Sequence, residues 1–210
     1  ISIAVRRGAG EPIYAGAYGD SLSGVAISPT TMFQAGSISK PVWAFSLMTR
    51  DDSATWLDTD VRTALPELPS THPVTPRMLL THTSGATVSG FIGYRPSEAR
   101  PSLREVVLGL PPANTPAVAF GPSGPYAYSG GGMETLEWWF ATTEGMNVPA
   151  FAEANLFDPV GLTRTMYAQP LPLAETDHAC GLSTQIAPGE CYRVHSETVA
   201  AGLWTTPSDL

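Results

Sequence analysis

A serine and a lysine three residues apart, in Ser37-Ile38-Ser39-Lys40, are the pair best suited to chemistry in this chain. At a helix start, positions three apart share a face about one turn from each other, so the amine can reach the hydroxyl. An alcohol is a poor nucleophile until a base takes its proton. Lys40 is the sole lysine among 11 basic residues, the rest being arginine. Arginine keeps its proton, whereas a lysine whose pKa is depressed by burial can act as a base. A third group must pass the proton to the leaving group. Tyr128 is the candidate, because Gly130-Gly131-Gly132 behind it lets the backbone approach a site closely. Tyr126 competes for that role, and a packed aromatic is the plain reading of Tyr128. An oxyanion hole needs two backbone amides. The Ser37 amide can supply one, and no residue in the chain identifies the other.

Other chemistries fit less well. There is no Gly-x-Ser-x-Gly elbow, no phosphate loop ending in Gly-Lys-Ser/Thr and no His-Glu-x-x-His. His82, in Thr81-His82-Thr83-Ser84-Gly85, reads first as part of a helix end closed by Gly85, with its ring bonding loop carbonyls, and second as a general base. Cys180 and Cys191 are the only cysteines and flank a turn at Ala187-Pro188-Gly189. A disulfide closing that loop is the first reading, and it points to a secreted or periplasmic protein. A zinc set of His178, Cys180, Cys191 and His195 is the second, and two free thiols the third. The cysteines stand farther apart than zinc pairs usually do. A net charge of −8 and a pI near 4.8 argue against nucleic acid and anionic membranes as partners. No apolar run reaches the ~20 residues of a membrane span, and no signal peptide is visible. No cofactor is called for.

The elements that must position these groups are short, because Gly and Pro number 20 each. Alternation predicts strands over 1–7 and 12–18, joined by a turn at 8–11, with a further short strand near 25–27. A helix is expected from Ser37 through Val42, Phe45 and Met48. Pro41 would remove the amide that bonds the Ser37 carbonyl, so the first turn should be 3₁₀-like. Thr75-Pro76 opens another helix, with Met78-Leu79-Leu80 as its buried side. Pro101-Ser102-Leu103 begins a third, and 149–156 forms a further one. Met133, Leu136, Trp139 and Phe140 fall on one face of a helix that ends at Gly145. Thr206-Pro207-Ser208-Asp209 has the pattern of a helix start, yet the sequence stops at Leu210. The expectation is a domain that continues further.

Five stretches resemble one family in the right order. Phe33-Gln34-Ala35-Gly36-Ser37-Ile38-Ser39-Lys40-Pro41 resembles the first active-site motif of the serine β-lactamase and penicillin-binding-protein superfamily. The nearest branch is the class C β-lactamase, D-peptidase and esterase group. Leu79-Leu80-Thr81-His82-Thr83-Ser84-Gly85 resembles the segment after that motif, and Tyr128-Ser129-Gly130 falls at its Tyr-x-Asn motif. The stretches 155–165 and 200–210 resemble two later segments. The resemblance implies Ser37 as acylated nucleophile, Lys40 as its base and Tyr128 as proton shuttle, with Gly130 and Gly36 in substrate binding. It also implies an α/β fold of the α+β type, β-lactamase/transpeptidase-like, in which an antiparallel sheet flanked by helices stands beside a mostly helical domain. By that frame 1–36 and 166–210 belong to the α/β part, and 37–165 to the helical part.

Two departures bear on function. Gly130 replaces the Asn that contacts the substrate amide in lactamases, which suits an esterase or D-peptidase. The third motif, a Lys-Thr-Gly or His-x-Gly strand carrying the second oxyanion amide, would lie beyond Leu210. The family's N-terminal helix and a glycine turn over 50–56 are also missing. The expected function is a serine hydrolase acting through an acyl-enzyme on an ester or a D-amino-acid peptide or amide. The substrate would be a small molecule or peptide, with oligomeric state open. The alternative is a non-catalytic binding or assembly module of the same fold.

Overall fold

The computed structural model describes residues 1–8, 13–20, 24, 26–50, 54–181 and 190–210. The expected turns at 8–11 and 187–189, the strand position at Val25 and the helix exit at 51–53 therefore lie wholly or partly outside the described residues. β1 (Ser2–Val5) and β2 (Tyr14–Ala17) pair antiparallel, with Ser2 opposite Ala17 and Val5 opposite Tyr14. β3 (Phe33–Gln34) leads into a 3₁₀ turn, Gly36–Ile38, and then α1 (Ser39–Met48). Next come α2 (Pro76–Leu80), α3 (Leu103–Leu108), α4 (Gly130–Glu144), α5 (Val148–Ala152), α6 (Asp158–Val160) and α7 (Thr198–Ala201). β4 (Trp204–Thr205) pairs antiparallel with β3. The fold is mixed α/β, with helices and two small antiparallel sheets among the described residues.

The conflict at Pro41 resolves as the sequence predicts. The α-helical part begins only at Ser39, so Pro41 falls in its first turn, where an amide has no intrahelical partner to lose. Thr75 caps α2 by accepting from the Met78 amide, with Pro76 in the first helical position. Ser102 and Glu105 form a capping box on α3.

One apolar cluster runs from Trp43 and Leu47 of α1 through Leu79 to Met133, Leu136, Trp139 and Phe140 of α4. It continues through Phe151 and Phe157 to Val199, Ala200 and Leu203. Trp43 meets Phe140 edge-on at 4.9 Å and Phe151 at 5.7 Å. These rings join α1 to α4 and to α5, and burying aromatic rings of this size is a large apolar contribution. Pro76 and Leu79 are the buried residues of α2, while Met78 and Leu80 are half-buried. Phe45 and Met48 are exposed, so the inward side of α1 is Ser39, Lys40, Trp43, Ser46 and Leu47.

The three glycines that open α4 serve close packing. A side chain on Gly131 would strike the Thr87 carbonyl at 2.6 Å and Val118 at 2.7 Å. Thr206 to Asp209 is a turn, in which the Asp209 amide donates to the Thr206 carbonyl at 3.2 Å. No helix among the described residues is long and apolar enough to cross a membrane.

Candidate active site

Ser37 occupies the middle of the 3₁₀ turn, just after Gly36, whose φ of +52° favours glycine. Nothing lies within 4 Å of a Cβ placed on Gly36, so backbone conformation alone sets that requirement. Ser39 ties the turn to its neighbours. Its hydroxyl donates to the Gly36 carbonyl at 2.5 Å and accepts from the Leu203 amide at 3.0 Å, and its carbonyl accepts from the Tyr167 hydroxyl at 2.5 Å.

The lysine points inward. Lys40 is 5% exposed, and its Nζ lies 3.1 Å from Ser37 Oγ. The amine also donates to the Ala200 carbonyl at 2.7 Å. The Tyr128 hydroxyl also donates to Ser37 Oγ, at 2.9 Å. Its ring centroid is 5.1 Å from Lys40 Nζ, and Tyr128 is 41% exposed. The structure thus brings Ser37, Lys40 and Tyr128 to one point. Tyr126, the competitor, lies against His82 at 5.9 Å and is 70% exposed. Partial burial pushes the Tyr128 phenol up. Its bonds with Lys40 and Ser37 and the Lys40 charge together outweigh that, leaving it below the ordinary tyrosine range.

Gly130 is buried, its amide donates to the Ser89 carbonyl at 3.2 Å, and a Cβ there would meet the Phe91 ring at 3.0 Å. Tyr94, Arg95, Glu98, Asn114 and Arg193 line a separate cavity of about 520 Å³, to which Ser37, Lys40 and Tyr128 do not contribute.

Two holders of the site were missed in sequence. His82 is the first. It stands at φ +56°, and its carbonyl accepts from the Ala127 amide at 2.8 Å. Its Nδ1 accepts from the Ser129 amide at 3.3 Å, and its ring packs on Tyr128 at 4.8 Å. It therefore grips the residues on both sides of Tyr128 instead of bonding loop carbonyls through its ring. Burial first, and the Lys40 charge second, hold the imidazole below its usual range. The second holder is the Ala200 carbonyl. No side chain signals it in the sequence, because the contact is made by a backbone carbonyl.

Cys180 and Cys191 are joined in a disulfide. That removes both thiolates from the zinc set and excludes free thiols. His178 instead bonds the Glu175 carbonyl at 2.9 Å and packs on Trp204, while His195 Nδ1 lies 3.5 Å from Glu197 Oε2.

Solved structures share this architecture. D-amino acid amidase from Ochrobactrum anthropi SV3 superposes with a TM-score of 0.76 at 19% identity, over 99% of this chain and 62% of that one. FmtA from Staphylococcus aureus gives 0.71 at 21% identity, over 94% and 55%. The octameric penicillin-binding protein homologue from Pyrococcus abyssi gives 0.71 at 21%, over 99% and 49%. The chain thus spans about half to three-fifths of the length of these proteins. At such identities the likeness speaks for the fold alone. The Beta-lactamase family model, however, matches residues 1–210, the whole of the sequence, and the chain belongs to that family.

Proposed function

We propose that the protein is a serine hydrolase that works through an acyl-enzyme. The observation that carries this reading is the pair of contacts on one oxygen: Lys40 Nζ at 3.1 Å and Tyr128 hydroxyl at 2.9 Å from Ser37 Oγ. Ser37 Oγ attacks the substrate carbonyl carbon, and its proton passes into the Lys40–Tyr128 pair. Collapse of the tetrahedral adduct breaks the bond to the leaving alcohol or amine, which takes that proton from Tyr128. Water then attacks the Ser37 ester, the same pair accepts its proton and returns it to Ser37 Oγ, and the acid is released. Proton transfer by positioned groups of this kind contributes about 10²–10⁴-fold in rate.

The substrate class proposed is an ester or a D-amino-acid peptide or amide. The name of the D-amino acid amidase neighbour supports the amide half of that class. The space of the usual Asn side chain is taken up at Gly130 by Phe91 and Ser89, which weighs against efficient β-lactam turnover. The Cys180–Cys191 disulfide supports a secreted or periplasmic location.

The test is to treat the intact protein with a fluorophosphonate and with a penicillin probe, then map the adduct by mass spectrometry. Modification at Ser37, abolished in Ser37→Ala, is the expected result. Absence of any Ser37 adduct with both probes overturns the reading in favour of a non-catalytic module.

A further inference from the structure

Behind Lys40 lies a group of buried acids that the proposed chemistry does not use. Glu134 and Glu137 stand three apart on α4, so both point to one side of the helix. They are 0% and 4% exposed. Glu134 Oε1 accepts from the Ala200 amide at 3.1 Å, and Glu137 Oε2 accepts from the Val199 amide at 3.0 Å. These amides open α7, a single turn of helix whose first N–H groups have no intrahelical partner. The same turn presents the Ala200 carbonyl to the Lys40 amine at 2.7 Å. The neighbouring chain is fastened too: the Ala35 amide donates to the Leu203 carbonyl at 2.9 Å, and the Leu203 amide to Ser39 Oγ at 3.0 Å.

We infer that Glu134 and Glu137 are positioning residues, which fix α7 from behind and so hold, through the Ala200 carbonyl, the Lys40 amine on Ser37. Four residues of helix cannot hold themselves in place, because nucleating a turn costs more than its one or two hydrogen bonds return. Something outside α7 must set its position. The α4 carboxyl groups bond two of its amides directly. Burial raises both carboxyls above the ordinary glutamate range. The Ala200 and Val199 amides each need an acceptor oxygen, which glutamine keeps and methionine, of similar length, does not. The inference rests on Ser37 and Lys40 being the reacting pair, and its test must separate the two ideas.

Lys40 is the single lysine of the sequence, so lysine labelled with ¹³C at Cε gives one signal from this chain, and that signal reports the surroundings of the amine. The experiment compares Glu134→Met and Glu134→Gln in the intact protein, reading both the rate of fluorophosphonate modification at Ser37 and the Lys40 signal. Glu134→Met should react about 10²-fold more slowly, the scale of effect for a reacting group displaced by about 1 Å, and its lysine signal should move. Glu134→Gln keeps the acceptor and should restore both rate and signal to near wild type. Glu144→Gln, at the exposed end of α4, should change neither. If Glu134→Met does not fold, the pair Glu137→Met and Glu137→Gln carries the same comparison through the Val199 amide. A folded methionine variant with wild-type rate and an unmoved signal overturns the inference, as does a glutamine variant as impaired as the methionine one. If wild type takes no probe at Ser37, the hydrolase reading falls, and the lysine signal alone still decides whether the acids position the amine.

Discussion

The two flanks of α7 both bury ionisable groups, and they do so under different rules. On the α1 flank the Lys40 amine has a carbonyl, a hydroxyl and an aromatic face around it, and Tyr128 connects that cluster to solvent. On the α4 flank Glu134, Glu137 and Glu197 are sealed in, and neither oxygen of Glu197 has a hydrogen-bond partner among the described residues. Isolated buried carboxylates are costly; burial raises the Glu134 and Glu137 carboxyls, and both serve as acceptors. The open flank reaches solvent through Tyr128, and the closed flank is shut off from it.

The comparison breaks most sharply at Lys40. Lys40→Arg keeps a cation at the Ala200 carbonyl but replaces the amine with a guanidinium, which does not give up its proton. Lys40→Met removes both functions. Each variant should lose about 10³-fold or more in the rate of Ser37 acylation, the range seen when a member of a nucleophile–base set is removed. Stopped-flow reaction with a chromogenic ester reads the rate. An arginine variant with wild-type acylation would show that the cation matters for position alone, and would erase the distinction between the flanks.

The next effect belongs to His82, which stands beside Tyr128 on the open flank. The bond from the Ser129 amide requires Nδ1 without a proton. His82→Asn offers a side-chain oxygen in a similar place and tolerates the positive φ, whereas His82→Gly tolerates φ and offers nothing. The glycine variant should lose about tenfold in kcat, the equivalent of one hydrogen bond of ~1.4 kcal/mol, with KM little changed. The asparagine variant should recover most of it. The folded-state pKa of His82 is depressed, so its contribution to stability is complete above the usual value of about 6.5 and is lost as pH falls through the lower folded value. The acid limb of the wild-type kcat profile should follow, and should be absent in the asparagine variant. Equal kcat values for the glycine and asparagine variants would show that the ring bond does not hold Tyr128.

What could be read from the residues and what could not divide along physical lines. The Ser37–Lys40 pair was legible because helix geometry makes a spacing of three a contact, and because one lysine among arginines is conspicuous. The 3₁₀ start was legible from Pro41, and the caps at Thr75 and Gly145 from local hydrogen-bond rules. Tyr128 reaches Ser37 across 91 positions of sequence, and its choice over Tyr126 drew on the glycines behind it and on family resemblance. Ala200 escaped notice because a backbone carbonyl carries no side-chain signal, and its partner lies 160 positions away. Glu134 and Glu137 did leave a mark, two acids three apart amid Met133, Leu136 and Phe140. An acid on an apolar face reads as a boundary of that face until its partner is known.

The closed flank is tested through stability and not through rate. Glu137 faces Glu134 on its own helix, the Val199 amide, Thr198 and Glu197 from the segment leading into α7, and the Tyr167 hydroxyl. Beyond Glu197 stand His195 and Tyr94, the latter pushed up by burial and by the Glu197 charge. Burial is the chief reason the Glu137 carboxyl is pushed up, to about 8. Between the ordinary glutamate value and that point, the folded protein binds a proton that the unfolded chain has released. Stability from this group is therefore full below about pH 4.5 and declines as pH rises through 8. Glu137→Gln cannot release a proton, so its melting temperature should fall less than that of wild type between about pH 5 and pH 8, by roughly 2–4 °C for each kcal/mol of difference. Calorimetry at a series of pH values measures both slopes. Parallel curves for the two proteins would mean that Glu137 is charged when folded, and then the two flanks of α7 would differ in sign of charge but not in the rule that governs it.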